Sequence, residues 1–287
     1  MTDWMAAIER RRSVRRYRDA PVPEDTLAAL RKAVAGVEPL DARTNAQVAL
    51  VPFSSLHSRS AVGALAVASP APWYFIGRAE PHPGRMEEVG FRMEQAVLAA
   101  TALGLGTCWM AGFFRARYLA ERIGGSPEDV VALSPVGWPA PGRRQAWTRS
   151  LVRNVSARRG TRKPLEEFAF WQRWGEPVAP TLVPPEIWRA LEMARLAPSW
   201  SNVQPWYFLM SENTIFALAD SRPQRWNDRP GRPYYRLDVG IAMCHFWLTL
   251  QQLGYRSRWQ SLVLEETEAH GALDVPGYAV PIARLVL

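Results

Sequence analysis

Six arginines lie within the nine residues Arg10–Arg18, interrupted by Ser13, Val14 and Tyr17. Guanidinium groups clamp phosphate oxygens in bidentate pairs, and a hydroxyl between them adds a donor. RRRSVRRYR (10–18) therefore reads as an anion site, or more plainly as the solvated basic end of the amphipathic turn begun by Trp4, Met5 and Ile8. A second cluster, PSWSNVQPW (198–206), sets small polar groups and two amides between helix breakers. It is either a binding turn or simply a polar helix-to-strand connection. Other familiar chemistries are missing. There is no GxxxxGK[ST] loop or GxSxG elbow, and GLGTCW (104–109) lacks the third glycine of a dinucleotide fingerprint. His57, His82, His245 and His270 are scattered, with no cysteine or carboxylate at ligand spacing, so no metal is expected. His245, inside an apolar run, reads as a core histidine whose ring is satisfied.

The elements that must position these clusters occur twice. EDTLAALRKAV (24–34) and PPEIWRALEMARLAP (184–198) carry apolar residues at helical spacing, with Pro184 and Pro185 suited to a helix start and Pro198 to its end. Each is followed by an Asn-x-Gln turn and an apolar strand, TNAQVALVPF (44–53) and SNVQPWYFLM (201–210). Each half then reaches a long apolar helix, 90–106 and 238–255, expected to begin near Gly90 and Gly240 and to end in Leu-Gly. Strand candidates VVALSPVGW (130–138) and YAVPIARLVL (278–287) close the halves. The offset of about 150–160 residues drifts because the first half carries an extra stretch near 54–71. The pattern predicts a duplicated α+β unit, with a first half of about 1–160, a second of about 161–287, and a basic connecting arm over 138–164.

Composition narrows the setting. The 287 residues are 48% hydrophobic and 22% charged, which excludes wholesale disorder. All but two of the 35 basic residues, Lys32 and Lys163, are arginine, and the net charge is +8. Two cysteines in apolar runs, Cys108 and Cys244, point to a reducing cytoplasm rather than a disulfide scaffold. The first 18 residues are too polar for a signal peptide. Ala96–Phe114 runs nineteen residues without a charge, but its glycines mark a buried helix, a stop and a strand rather than a membrane span. Arginines at 143, 144, 149, 153, 158 and 159, with many tryptophans, leave a nucleic-acid-binding reading open.

RRSVRRY followed by PVP (21–23), PSWSNVQPW, GFRMEQAVLAATALGLGTCWMAGF (90–113), VVALSPVGWP (130–139) and RKPLEEF (162–168) together resemble the nitroreductase family of FMN enzymes. The resemblance implies an α+β nitroreductase-like fold with two pseudo-symmetric halves, each a sheet flanked by helices. Ordinary members are homodimers in which one subunit gives the arginine-serine motif and the other the PSxxNxQPW turn. Here the first half keeps RRSVR but has LDARTNAQV (40–48) for its turn, while the second keeps PSWSNVQPW without an RRSxR. The chain thus resembles a fused branch in which one polypeptide, a monomer, imitates the dimer and holds one FMN.

By that resemblance Arg11 and Arg162 match phosphate-binding arginines, and Arg12 and Ser13 lie along the phosphate and ribityl chain. Arg15 matches the cation beside N1 and O2 of the ring, where it would favour the reduced flavin. Pro198, Ser199, Ser201 and Asn202 match the turn closing on the ring, and Ala111 and Gly112 the strand end near N5. No side chain is expected to act as catalytic acid or base. NADPH or NADH is the expected electron donor, and a nitroaromatic or quinone the expected small-molecule acceptor. A flavin carrier without turnover is the nearest alternative. Two departures stand out: Ala111 where many members are acidic, and bulky Trp200 where they have a small residue.

Overall fold

A Pro23 cap, Glu24 and Asp25 in the first turn and Gly36 beyond the last explain where the first amphipathic helix starts and stops. The computed structural model describes residues 2–56, 68–111, 114–141, 161–223, 228–229 and 232–287. Gly112, His57, most of the connecting arm (142–160) with its arginines, and 57–67 of the first-half insertion lie outside the described residues. The chain divides into two compact units: Met1–Glu38, Thr44–Arg85 and Arg92–Arg159 form the first, and Pro39–Arg43, Met86–Phe91 and Gly160–Leu287 the second.

The first unit contains α1 (Trp4–Arg10), whose first turn is capped by Asp3 accepting from the Ala6 N–H, and α2 (Glu24–Ala35). Strands β1 (Ala46–Pro52), β2 (Trp73–Ala79), β3 (Gly106–Thr107) and β4 (Val130–Gly137) form an antiparallel sheet in the order β1–β2–β4–β3. The short α4 (Ala116–Ile123) and most of the long helix α3 (Arg85–Ala102) complete it, Met86–Phe91 of α3 belonging to the second unit. Its core gathers Val14, Tyr17, Leu56, Tyr74, Ile76, Met110, Leu119 and Leu133. The uncharged run from Ala96 resolves into the end of α3, a turn with Gly104 at φ +80°, and β3. No helix among the described residues is long and apolar enough to cross a membrane.

The second unit holds β5 (Ala169–Trp171), α5 (Pro185–Ala194), β6 (Trp206–Met210), β7 (Thr214–Asp220) and the small ribbon β8 (Asp228–Arg229) with β9 (Arg232–Pro233). Helix α6 (Tyr234–Gln252), β10 (Trp259–Ser261), α7 (Glu266–Leu273) and β11 (Ala279–Val286) follow. The five-stranded sheet runs β10–β11–β7–β6–β5, antiparallel except for the β5–β6 pair. Apolar on nearly every side in sequence, α6 is buried almost without interruption from Tyr234 to Leu250, packed against α5, β6 and β7. Phe208 stacks on Phe246 at 5.2 Å, and each such ring contributes roughly 1.5–3 kcal/mol by leaving water.

The two long helices do not begin at their glycines. Gly90 and Gly240 sit in the second turn of α3 and α6, because the sequence signal marks close packing and not a start. A Cβ on Gly90 would lie 2.2 Å from the Leu237 carbonyl oxygen, and one on Gly240 would lie 2.1 Å from that of Glu87. The pairs 90–237 and 240–87 are the same contact read from either side at an offset of 150, and all four residues lie in the second unit. Arg236 seals the crossing, reaching Glu87 through Nε and through Nη2 at 2.9 Å, and Glu266 through Nη1 at 2.9 Å.

Candidate functional site

In the first unit the arginine segment leaves α1 at Arg11 and becomes extended, pinned on both sides. Val14 N–H donates to the Thr107 carbonyl at 2.8 Å, Ser69 N–H to that of Arg15 at 2.8 Å, and Ala140 N–H to that of Arg16 at 3.0 Å. Ser13 forms a bridge with Thr107, and Tyr17 one with Pro139. Tyr17 anchors the segment from beneath, its hydroxyl donating to the Val14 carbonyl at 2.6 Å. These contacts fix the backbone of the segment, and with it the Cα positions of its arginines.

Their settings differ. Arg11 is desolvated, which pushes its guanidinium below its ordinary value, while the buried Glu94 carboxylate opposes that shift. Glu94 is itself held by the Trp109 indole N–H at 2.6 Å. The Nε groups of Arg11, Arg15 and Arg16, and of Arg195 in the second unit, are buried with no hydrogen-bond partner among the described residues. Unsatisfied buried cationic donors are costly unless an anion meets them, so this donor set fits an anionic group such as a flavin phosphate. Arg12 is exposed and lines, with Arg10 and Ser13, a cleft of about 350 Å³ beside Thr101, Gly104 and Gly106. Ala111 is buried just beyond the mutual hydrogen bonds of Met110 and Leu133.

In the second unit the 198–206 turn is built from strained backbone. Ser201, Asn202 and Gln204 adopt φ of +47°, +61° and +55°, each costing roughly 1–3 kcal/mol for a residue with a Cβ. Hydrogen bonds hold them there. Asn202 Nδ2 donates to the Thr161 carbonyl at 2.8 Å, Lys163 N–H to Gln204 Oε1 at 3.0 Å, and Gln204 N–H to Ser199 Oγ at 2.9 Å. Arg162 is the central tie: Nη1 reaches the Ala197 carbonyl at 2.7 Å and Asn202 Oδ1 at 3.0 Å, and Nη2 the Leu196 carbonyl at 2.9 Å. Pro198 is buried behind the turn, not at the helix end, since α5 stops at Ala194.

The fold thus brings Arg11, Ser13 and Arg15 onto one pinned segment and Arg162, Pro198, Ser199, Ser201 and Asn202 into one turn, and it gives Arg162 a structural duty that the sequence did not suggest. Sequence reasoning also passed over Glu94 and Asp238. Asp238 accepts the Trp200 N–H at 3.0 Å, and burial pushes its carboxyl well above the usual range, with that hydrogen bond opposing. In the first half Glu88, 150 residues earlier, accepts from Leu40 N–H at 3.2 Å and Asp41 N–H at 2.6 Å. Seven residues on, Gln95 pairs with the Glu38 backbone and His245 Nδ1 meets the Met193 carbonyl at 3.1 Å, the satisfied core histidine expected. The available signal was an acid inside each apolar helix.

The family described as "Putative TM nitroreductase" matches residues 3–250. The chain belongs to this nitroreductase family. A solved Thermotoga maritima protein described as a putative nitroreductase is similar over 100% of this chain and 94% of its own, at 24% identity and a TM-score of 0.59, which shows the shared α+β fold. A nitroreductase with bound FMN from Bacteroides fragilis aligns with 50% of this chain and 91% of its own, at 23% identity and a TM-score of 0.40. An FMN-dependent nitroreductase from Clostridium difficile aligns with 48% and 88%, at 21% and 0.40. No curated protein matches the nitroreductase chain.

Proposed function

We propose that this nitroreductase-family chain is an FMN-dependent oxidoreductase taking hydride from NADPH or NADH and reducing a flat electrophilic small molecule such as a nitroaromatic or quinone. FMN would supply the redox chemistry through its N5 atom. The chain's residues bind and tune it: Arg11 and Arg162 at the phosphate, Arg12 and Ser13 along the phosphate and ribityl chain, and Arg15 at the pyrimidine edge. Pro198, Ser199, Ser201 and Asn202 would close on the ring, with Ala111 and Gly112 near N5. The observation that carries this reading is the run of buried, unsatisfied Nε donors of Arg11, Arg15 and Arg16 on a pinned segment.

The complementary motifs, RRSVR kept in one half and PSWSNVQPW in the other, support one FMN per chain. The reciprocal Gly90–Leu237 and Gly240–Glu87 contacts support a monomer that acts as an internal pseudo-dimer. Cys108 and Cys244 are buried thiols outside any disulfide, which suits a cytoplasmic setting. The test is the visible spectrum of the purified protein with and without NADPH, followed by a quinone. A yellow protein that bleaches and recovers is expected. Yellow without bleaching indicates a flavin carrier, and a colourless protein that retains nucleic acid overturns the flavin reading.

A further inference from the structure

The cleft of about 350 Å³ lies wholly within the first unit, between the end of α1, the segment that follows it, and the turn from α3 to β3. Arg10 and Arg12 line it and are exposed, while Val14, Leu105 and Gly106 form its buried side. Among the described residues no carboxylate lines the cleft, and neither arginine has a side-chain hydrogen bond or ion pair. The ordinary duty of such arginines, capping the end of α3, is already filled. Leu103, Gly104 and Leu105 N–H donate to the Ala99, Thr101 and Ala100 carbonyls at 3.1, 3.0 and 2.9 Å, with Gly104 at φ +80° closing the turn.

The cleft is also separate from the buried arginine donors. Successive side chains of an extended segment leave on opposite sides. Arg12 and Val14, two residues apart, both line the cleft, whereas Arg11 is desolvated beside Glu94 and Cys108. None of Arg11, Arg15 and Arg16 lines it. Two cations without a counter-charge repel each other, a dianion relieves that repulsion, and guanidinium forks match phosphate oxygens. The volume is at the small end for ligand pockets, enough for a phosphate on a compact body that rests against Val14, Leu105 and Pro139. We infer that this cleft is a second anion site, taking the phosphomonoester of a small sugar phosphate or nucleoside monophosphate. Arg10 and the Arg12 side chain hold the phosphate, which leaves Arg12 its backbone for the ribityl chain. The separation of the two sites rests on the reading of Arg11 and Arg15 as donors to the flavin.

The test titrates FMN-loaded protein calorimetrically with AMP, ribose 5-phosphate and adenosine, while the flavin absorbance reports whether FMN stays bound. A phosphate should bind with FMN retained, adenosine should not bind, and the tighter of the two phosphates names the source. Arg10→Ala should weaken that phosphate about tenfold, the low end for a charge-assisted hydrogen bond, as suits an exposed arginine. Ala102→Glu, which sets a carboxylate on the same cleft, should weaken it at least as much, and added salt should weaken it in the wild type. Turnover of Arg10→Ala without added phosphate should match the wild type. No binding of either phosphate, or binding unmoved in both variants, overturns the site. Release of FMN in step with added AMP also overturns it, because the cleft would then be the cofactor's own. A protein that lacks FMN yet binds AMP through Arg10 upholds the cleft and overturns the flavin reading instead.

Discussion

Arg11 and Arg15 share one pinned segment but should do separable work. Arg11→Ala should weaken FMN by about 1.5–3 kcal/mol, the scale of a charge-assisted hydrogen bond. It also takes a cation from beside the buried Glu94, so the thermal midpoint of the FMN-free protein should fall too. Arg162→Ala should lower FMN affinity by a second route, because three ties to Leu196, Ala197 and Asn202 go with it. Calorimetric FMN titration beside apo-protein melting checks both; FMN affinity unmoved in either variant removes that arginine from the phosphate. Arg15→Gln keeps hydrogen-bonding capacity and removes charge, so oxidised FMN should still bind while the reduced form loses support. A selective loss of about 1.4 kcal/mol lowers the two-electron midpoint potential by roughly 30 mV. Spectroelectrochemical titration decides it, and an unchanged or raised potential would mean that Arg15 is not beside the pyrimidine edge.

At the scale of elements, the α3–α6 crossing and the carboxylate clamps set the geometry. Gly90→Ala or Gly240→Ala would drive a methyl into a backbone carbonyl that cannot rotate away, so the helices must separate. The expected cost is about 3 kcal/mol, read as a thermal midpoint lower by roughly 6–12 °C. A midpoint unchanged in both variants would contradict the close approach. The Asp238 clamp has a pH signature. Its folded pKa is raised by burial, so its contribution is fully present below the unfolded value of about 3.9 and is lost as pH rises toward the folded value. Asp238→Asn keeps the oxygen that meets Trp200 N–H and removes the ionisation. Above pH ~4 its stability should therefore decline less with pH than the wild type's, and at pH 7 it should be the more stable. Denaturant midpoints measured between pH 4 and 7 that run parallel in the two proteins would refute this assignment.

For the whole molecule, the decisive quantity is FMN per chain. Each half lacks the motif that the other retains, so released flavin measured against protein should approach one per chain, and a ratio near two would overturn the complementary-motif argument. On the same reading, in which one chain carries both motifs, gel filtration of the loaded protein should give a mass near 32.3 kDa.

Local information in the sequence was enough for the amphipathic α2 and α5 and the strands β1, β4, β6 and β11. Periodicity, proline placement and motif spacing are properties of neighbouring residues, and they survive in the linear chain. Gly90 and Gly240 were legible as signals but misassigned: a glycine near a helix start and one that admits another backbone look alike in sequence. The duties of Glu94, Asp238 and Arg162 were not legible. Each depends on partners 15, 38 and 34–40 residues away, brought within hydrogen-bond reach or close charge range by the fold. Side-chain types announce what chemistry is possible, but desolvation and the supply of partners belong to packing. Tertiary structure alone decided which arginine nitrogens are buried without a partner and which tie down the turn.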